Sequence, residues 1–321
     1  MFTTNEEVEK LRYCFIINPV AGDTKNLENY GDRITKFCES KGLDFEVLVT
    51  QGTEHATRLA RECAQRCEGR DVRIISCGGD GTIAEVLNGI VGFDNVELGC
   101  MPCGSGNDFV KCFGERDEFL DFENYMFSDS VPIDLIKTDD RYCMNISSLG
   151  LDAIICDRAV KYIRSGKLGG SKAYDRATVI SLFGKKTNEL KITIDDKETF
   201  EGKFLFTLAA NGVCYGGGYH SAPMADPGDG ILDFVMIRSV PFIRLPGLVK
   251  PYKSGEYVND KRFKKIATIR KGNKMVVEAK KPAIINIDGE CFERTKVSFE
   301  LVPHAIRFIV PKSYVENKKK D

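Results

Sequence analysis

The chain has 321 residues, 42% of them hydrophobic and 29% charged, and its 46 Lys and Arg against 47 Asp and Glu leave a net charge of -1. That composition excludes a disordered or fibrous chain, and at about 100 to 200 residues per domain the length implies two domains. No stretch approaches the roughly 18 uninterrupted apolar residues of a spanning helix, and the first twelve residues are polar and acidic with no signal-peptide core, so the expectation is a cytoplasmic protein whose membrane contact is peripheral. The twelve cysteines lie mostly inside apolar strands and helices, which reads as reduced, core-filling thiols. Cys100 and Cys103 form a Cys-x-x-Cys without a second pair, and three histidines do not make a metal cluster.

Residues 13–17 predict a buried strand ending in Asn18-Pro19-Val20-Ala21-Gly22, a turn of phosphate-loop character. An amphipathic helix through Ile34 and Phe37 follows and stops near Gly42. Residues 45–49 form a second strand, and Thr50-Gln51-Gly52-Thr53-Glu54-His55-Ala56 leads into a helix carrying Leu59, Ala60 and Cys63. Residues 72–77 then run straight into Gly78-Gly79-Asp80-Gly81-Thr82, after which Ile83, Val86, Leu87 and Ile90 recur at helical spacing. A strand, a glycine turn and a helix N-terminus together favour an anion, because unhindered backbone N–H groups and the helix dipole point the same way. Asp80 in such a turn implies a bridging cation, or a hydrogen bond to a ribose or to the loop itself. A fourth strand over residues 96–101 ends in Pro102-Cys103-Gly104-Ser105-Gly106-Asn107-Asp108. Four alternations of strand and helix predict a parallel sheet with helices on both faces, and such sheets bind ligands at the carboxyl ends of their strands.

From residue 131 the pattern changes to short strands, interrupted by a mostly helical stretch over residues 151–183. Strand-like runs at 132–137, 142–147, 190–194, 204–210, 231–237, 275–279, 283–287, 296–302 and 305–310 predict an antiparallel sandwich or barrel. The boundary therefore falls near residue 130. Between residues 241 and 281 there are twelve Lys and Arg against three Asp and Glu, which suggests an anionic lipid surface or nucleic acid as partner, with solvated strand faces as the plain alternative. Nucleic acid is disfavoured, since Tyr252, Tyr257 and Phe263 alone interleave the charges. Two acidic turns remain. Asp226 and Asp229, three apart in a glycine-rich loop, are hard oxygen ligands suited to Mg2+ or Ca2+. Asp288, at the end of an apolar strand in Ile287-Asp288-Gly289-Glu290, is placed to take a proton from a hydroxyl nucleophile. Either turn alone also reads as an ordinary loop.

Taken in order, Asn18-Pro19-x-x-Gly22, Thr50-x-Gly52-x-x-His55-Ala56, Gly78-Gly79-Asp80-Gly81-Thr82, Pro102-x-Gly104-Ser105-x-Asn107-Asp108, Gly216-Gly217-Gly218, Ala222-Pro223 through Asp229-Gly230-x-Leu232-Asp233, and Asp288-Gly289-Glu290 resemble the diacylglycerol-kinase-like catalytic family, which includes soluble bacterial lipid kinases and, more distantly, sphingosine and ceramide kinases. The resemblance spans nearly the whole chain. It implies a nucleotide-binding α/β domain over residues 1–130, completed by 305–321, a β-sandwich lipid-substrate domain over 131–304, and ATP in the cleft between them. By the same resemblance, Asn18, Gly22, Thr50, Gly78, Gly79, Asp80, Gly81, Thr82, Gly104, Ser105 and Asn107 would surround ATP. Asp80 and Asp108 would hold a catalytic Mg2+. Asp288 would be the base, supported by Glu290, while Asp226, Asp229 and the Ile231 carbonyl would hold a structural Mg2+. Ser105 stands where the family usually has threonine, and Pro227 is an addition to the metal loop. The implied activity is phosphoryl transfer from ATP to a lipid hydroxyl, diacylglycerol by default. The alternatives are a sphingoid base, ceramide or phosphatidylglycerol as acceptor, a NAD kinase, or a non-catalytic sensor; exposed sandwich edges also admit a homodimer.

Overall fold

A computed structural model describes residues 11–22, 30–104, 106–166, 170–181 and 187–318. The chain divides into two compact units, one comprising Met1–Ile133 with His304–Asp321 and the other Asp134–Pro303.

In the first unit β1 (Arg12–Ile17), α1 (Tyr30–Lys41), β2 (Asp44–Val49), α2 (His55–Arg66), β3 (Val72–Gly78), α3 (Asp80–Ile90) and β4 (Val96–Pro102) alternate, followed by two short helices, α4 (Arg116–Leu120) and α5 (Phe122–Tyr125). The strands are parallel in the order β2-β1-β3-β4. A fifth is added from the far end of the chain, where β13 (Glu290–Ile309) runs parallel to β4 with Arg307 opposite Glu97 and Phe308 opposite Leu98. Every residue of β3 is buried, which is why this segment reads as a continuous apolar run rather than an alternation. The register sets Ile17 beside both Val49 and Cys77, and Gly78 beside Pro102. Asn18, Thr50, Gly79 and Cys103 therefore each stand one residue past a strand end.

The second unit holds β5 (Ser130–Thr138) from residue 134 onward, β6 (Arg141–Cys143), β7 (Ile146–Gly150), α6 (Leu151–Arg164), α7 (Gly170–Ser181), β8 (Asn188–Ile194), β9 (Glu198–Ala210), β10 (Leu232–Arg238), α8 (Leu245–Lys253), β11 (Ala267–Gly272), β12 (Lys274–Ile287) and β13 as far as residue 303. Two long strands change partners along their length. The first half of β9 pairs with β8 and its second half with β7, while β12 pairs with β8 over Met275 to Ala279 and with β7 over Ile285 to Ile287. Strands that switch partners in this way turn the corners of a sandwich. Inside lie Leu149, Ile192, Phe204, Phe234, Met275, Ile285 and Phe299. The opposite face of β9 and β10 carries a second cluster, with Leu205, Leu208, Val235, Leu245, Tyr257 and Phe263.

Residues 275–279 and 283–287, which read as two strands, are one strand with a register shift between Glu278 and Ala283. Lys280-Lys281-Pro282 breaks the apolar pattern there without ending the strand, because a bulge absorbs residues that do not fit the ladder. Residues 296–302 and 305–309 likewise belong to the single β13, which ends one residue short of the expected run, with His304 at a φ of 49° in its course. The strand β11 was hidden by its charges: Arg270 and Lys271 lie on an exposed edge paired only with β10.

Candidate active site

The loops at the strand ends of the first unit are tied into one framework. Asn18 Nδ2 donates to Thr82 Oγ1 at 3.0 Å, and Asn18 Oδ1 accepts from Val20 N at 3.2 Å. The Gly78 carbonyl accepts from Cys103 N, Gly104 N and Asn107 Nδ2 at 2.9, 3.2 and 3.1 Å. Thr50 is buried and its N–H donates to Ile17 O at 2.9 Å. Small residues are required here by contact. A Cβ on Gly104 would lie 2.5 Å from Gly79 Cα, and one on Gly22, whose φ is +70°, would collide with the Cys103 carbonyl. Gly81 faces open space, leaving the start of α3 accessible, whereas the N-terminus of α2 is closed. There Glu85 Oε2 accepts from Ala56 N at 3.1 Å, and His55 Nδ1 accepts from Gln51 N at 2.9 Å. Ser105 lies outside the described residues.

Asp80 is the clamp of this framework. Its Oδ2 accepts from Asn107 N at 2.7 Å and its Oδ1 from Asp108 N at 2.8 Å. Of the readings open to the sequence, a hydrogen bond to the loops is thus realised. It leaves room for a cation, because each carboxylate oxygen can take more than one partner. Burial, then the charge of Asp108, push Asp80 up to about 6 against the pull of those two amides. Lys111 Nζ sits 2.5 Å from Asp108 Oδ1. Asn107, at a φ of 47°, keeps its Oδ1 buried with no hydrogen-bond partner. Two buried carboxylates fit a hard divalent ion, which would relieve their repulsion and share Asp108 with Lys111.

In the second unit Asp288 occupies the tight turn between β12 and β13 at a φ of 44°. Met144 N donates to its Oδ2 at 3.0 Å, and Asn286 Oδ1 fixes the turn by accepting from Gly289 N at 2.8 Å. Glu290 follows at the start of β13. Its carboxylate pairs with Arg141 of β6, whose guanidinium lies 5.5 Å over the Phe292 ring. A guanidinium satisfies a carboxylate with charge and paired donors, which a second carboxylate cannot.

In the Asp226–Asp229 loop, Asp226 Oδ1 accepts from Gly228 N at 3.0 Å and Asp229 Oδ1 from Ile231 N at 3.2 Å. The second oxygen of Asp229 meets Lys271 Nζ at 2.9 Å. Among the described residues, Asp226 and Asp229 do not converge with a third metal-ligating side chain. A divalent ion here would have to displace the Lys271 ammonium that the loop already holds.

An apolar pocket opens in the second unit, lined by Leu151, Ile155, Leu205, Phe206, Leu248 and Val249 among others. Asp152, Tyr215 and Tyr252 add a polar edge to it, with Asp152 Oδ2 and both phenol oxygens buried and without hydrogen-bond partners. Burial raises the Asp152 carboxyl to about 7, opposed by the Ser148 hydroxyl. Cys156, another wall residue, donates from Sγ to Asn286 Oδ1 at 3.4 Å, which links the pocket wall to the Asp288 turn through one side chain. Sequence reading missed this pocket and Asn286, Lys111, Glu85 and Arg141; for Asn286 the only available signal was a polar residue in an apolar strand two positions before Asp288.

Residues 12–138 match the diacylglycerol kinase catalytic domain, and residues 145–310 match the YegS C-terminal NAD kinase beta sandwich-like domain. The chain belongs to the diacylglycerol kinase family. A Bacillus subtilis protein named diacylglycerol kinase is 27% identical over 309 residues, covering 95% of this chain and 98% of that protein. A solved Bacillus anthracis diacylglycerol kinase aligns over 94% of this chain and 98% of its own with a TM-score of 0.69 at 20% identity. A second structure from that organism reaches 0.74 at 23% identity with the same coverage. At those identities the structural likeness speaks to the two-domain fold alone. Among the described residues of this family member, no helix is long and apolar enough to cross a membrane.

Proposed function

We propose that this protein transfers the γ-phosphate of ATP to the hydroxyl of a membrane lipid, with diacylglycerol as acceptor and phosphatidic acid as product. The observation that carries the reading is the apolar pocket beside the Asp288 turn. Such a pocket suits an acyl chain and gives no purchase to the sugar and phosphates of NAD. Asp288 is the base. In the reaction the bond between the γ-phosphorus and its bridging oxygen breaks, a new bond forms to the lipid oxygen, and Asp288 takes the hydroxyl proton. A positioned base contributes about 10² to 10⁴-fold, and phosphoryl transfer otherwise depends on holding phosphates and neutralising charge.

The loop framework around Gly79 and Asp80 is the proposed nucleotide site, with Asn18, Thr82, Gly104 and Asn107 shaping it. Asp80 and Asp108 would hold Mg2+, which supplies charge neutralisation on the phosphates when bound. Lys111 already places one positive charge beside Asp108.

The same reading includes peripheral membrane contact. Half of the basic residues between 241 and 281 are paired with carboxylates: Lys253, Arg262, Arg270, Lys271, Lys274 and Lys280. The solvent-facing apolar pair Phe242 and Ile243, at 46% and 86% exposure, sits instead beside Arg244 and just before pocket-lining Leu245. An apolar tip flanked by a cation suits an anionic lipid surface at the pocket's own helix.

The test is a phosphorylation assay with diacylglycerol, monoacylglycerol, phosphatidylglycerol, ceramide and sphingosine in mixed vesicles, with NAD as a further acceptor. Transfer to diacylglycerol above the others supports the proposal, and transfer to NAD alone overturns it. Asp288→Asn should keep ATP binding while lowering turnover by about 10² to 10⁴-fold; wild-type turnover would remove Asp288 from the role of base.

A further inference from the structure

We infer that the ammonium of Lys271 is a built-in cation that holds the Asp226–Asp229 loop in place of a divalent metal ion. The inference stands apart from the identity of the lipid, because it concerns how this loop is held.

The loop gathers negative charge from Asp226, Asp229 and Asp233. Asp233 lies at the start of β10 with its side chain 4% exposed. A carboxylate so far removed from water needs a fixed counter-charge. The strand register supplies one, since Asp233 is directly opposite Lys271 across the antiparallel pair of β10 and β11. From there the ammonium reaches Asp233 Oδ2 at 3.1 Å and Asp229 Oδ2 at 2.9 Å. One ammonium, hydrogen-bonded to Asp229 and in ion-pair contact with Asp233, thus links the loop to the first residues of the strand that follows it.

Other polar groups of the loop bond to the chain itself. Asp134 Oδ2 accepts from Gly230 N at 2.8 Å, and Asp134 N donates to Pro227 O at 2.6 Å. The carbonyl of Asp226 accepts from Asp229 N at 3.3 Å. A divalent ion would have to displace an ammonium that already sits against two of the carboxylates. An ammonium asks less: its three donors can share two carboxylates and solvent, and Lys271 keeps 41% of its side chain exposed. The loop therefore carries the acidic spacing of a cation site while its cation is covalently attached.

Removing that cation should expose the site. In Lys271→Ala the carboxylates of Asp229 and Asp233 lose their counter-charge, and a divalent ion becomes the available replacement. The experiment is thermal unfolding of the full chain without nucleotide or lipid, in EDTA and in millimolar Ca2+. Four proteins are compared: wild type, Asp229→Asn, Lys271→Ala, and Lys271→Ala with Asp229→Asn. Wild type and Asp229→Asn should respond to Ca2+ alike, any common shift belonging to other sites such as Asp80 and Asp108. Lys271→Ala should melt lower in EDTA and regain roughly 3 °C in Ca2+ beyond that common shift. The double variant should lose the extra gain. The inference is overturned if wild type shows a Ca2+ shift that Asp229→Asn abolishes, since the loop would then bind metal with Lys271 in place. It is equally overturned if Lys271→Ala gains nothing from Ca2+. Should Lys271→Ala fail to fold in EDTA, folding in Ca2+ supports the inference, and failure in both leaves the wild-type and Asp229→Asn comparison to decide it.

Discussion

The proposed nucleotide site of the N-terminal unit is made of backbone, whereas the proposed acceptor pocket of the C-terminal unit is made of side chains. In the first, the Gly78 carbonyl, the amides of residues 103, 104, 107 and 108, and two glycines pressed together fix the loops around Asp80. In the second, α6, α7, β9, β10 and α8 each contribute apolar or aromatic side chains to a wall. Backbone geometry tolerates almost no substitution at the closest contacts, while an apolar wall accepts many side chains of similar volume. Under the proposed function, recognition of the phosphate donor and choice of the acceptor lipid would fall to parts of the chain that can change independently.

The largest expected effect tests the backbone site. Asp80→Ala leaves the amides of Asn107 and Asp108 without their acceptor, which should cost about 1 to 3 kcal/mol of stability each, and it removes a proposed Mg2+ ligand, which should lower ATP affinity in Mg2+ by at least about tenfold. Calorimetric titration measures this, and unchanged affinity would separate Asp80 from nucleotide binding. Lipid-analogue binding should survive in the same variant.

Filling the pocket tests the other half. Leu248→Trp should cut kcat/KM for long-chain acceptors by about tenfold relative to short-chain ones, with the KM for ATP unchanged, because overpacking costs roughly 1 to 3 kcal/mol where the chain would lie. Equal loss for both chain lengths would place the acyl chain elsewhere.

A smaller effect concerns pH. Asp152 is raised to about 7 by burial, so the folded protein binds a proton more tightly than the unfolded chain. Its contribution to stability is full below about pH 4 and is lost as pH rises through 7. Asp152→Asn should therefore be more stable than wild type at pH 8 by roughly 1 to 3 kcal/mol, with no advantage at pH 4. Denaturant melts at the two pH values check this; an advantage that is the same at both would exclude the titration of Asp152 as its source. The smallest effect is at the closed end of α2, where Glu85→Ala removes the acceptor of Ala56 N and should cost about 1 kcal/mol in urea unfolding, with ATP affinity within twofold of wild type.

The same contrast governs what could be read from sequence. Glycine turns are written in contiguous residues, so Gly78 to Thr82 and the loop from Pro102 announce themselves. The parallel sheet followed from buried runs such as β3. The pocket does not announce itself, because Leu151, Phe206 and Leu248 look like any core residues until the chain brings them to one wall. Partners distant in sequence were equally hidden. Glu290 sits two residues from Asp288, yet its charge is answered by Arg141, and the ion pairing Asp229 comes from an edge strand whose lysine resembled a solvated charge. Local spacing reveals which groups can act, while long-range pairing decides which of them are already engaged.

The pairing of β13 with β4 carries a consequence for biosynthesis. Residues 12 to 102 supply four strands of the first sheet, but Arg307 and Phe308, which cover the open side of β4, leave the ribosome after everything between them has been made. Until then the nascent chain presents a buried-type parallel strand as a bare edge, together with the Phe109 and Phe113 rings that Phe308 will later touch at 5.4 and 5.1 Å. An unpaired edge of this kind invites association with other chains. A message truncated before codon 307 should accordingly yield a product that is insoluble or chaperone-bound, although it contains every residue of the proposed nucleotide site.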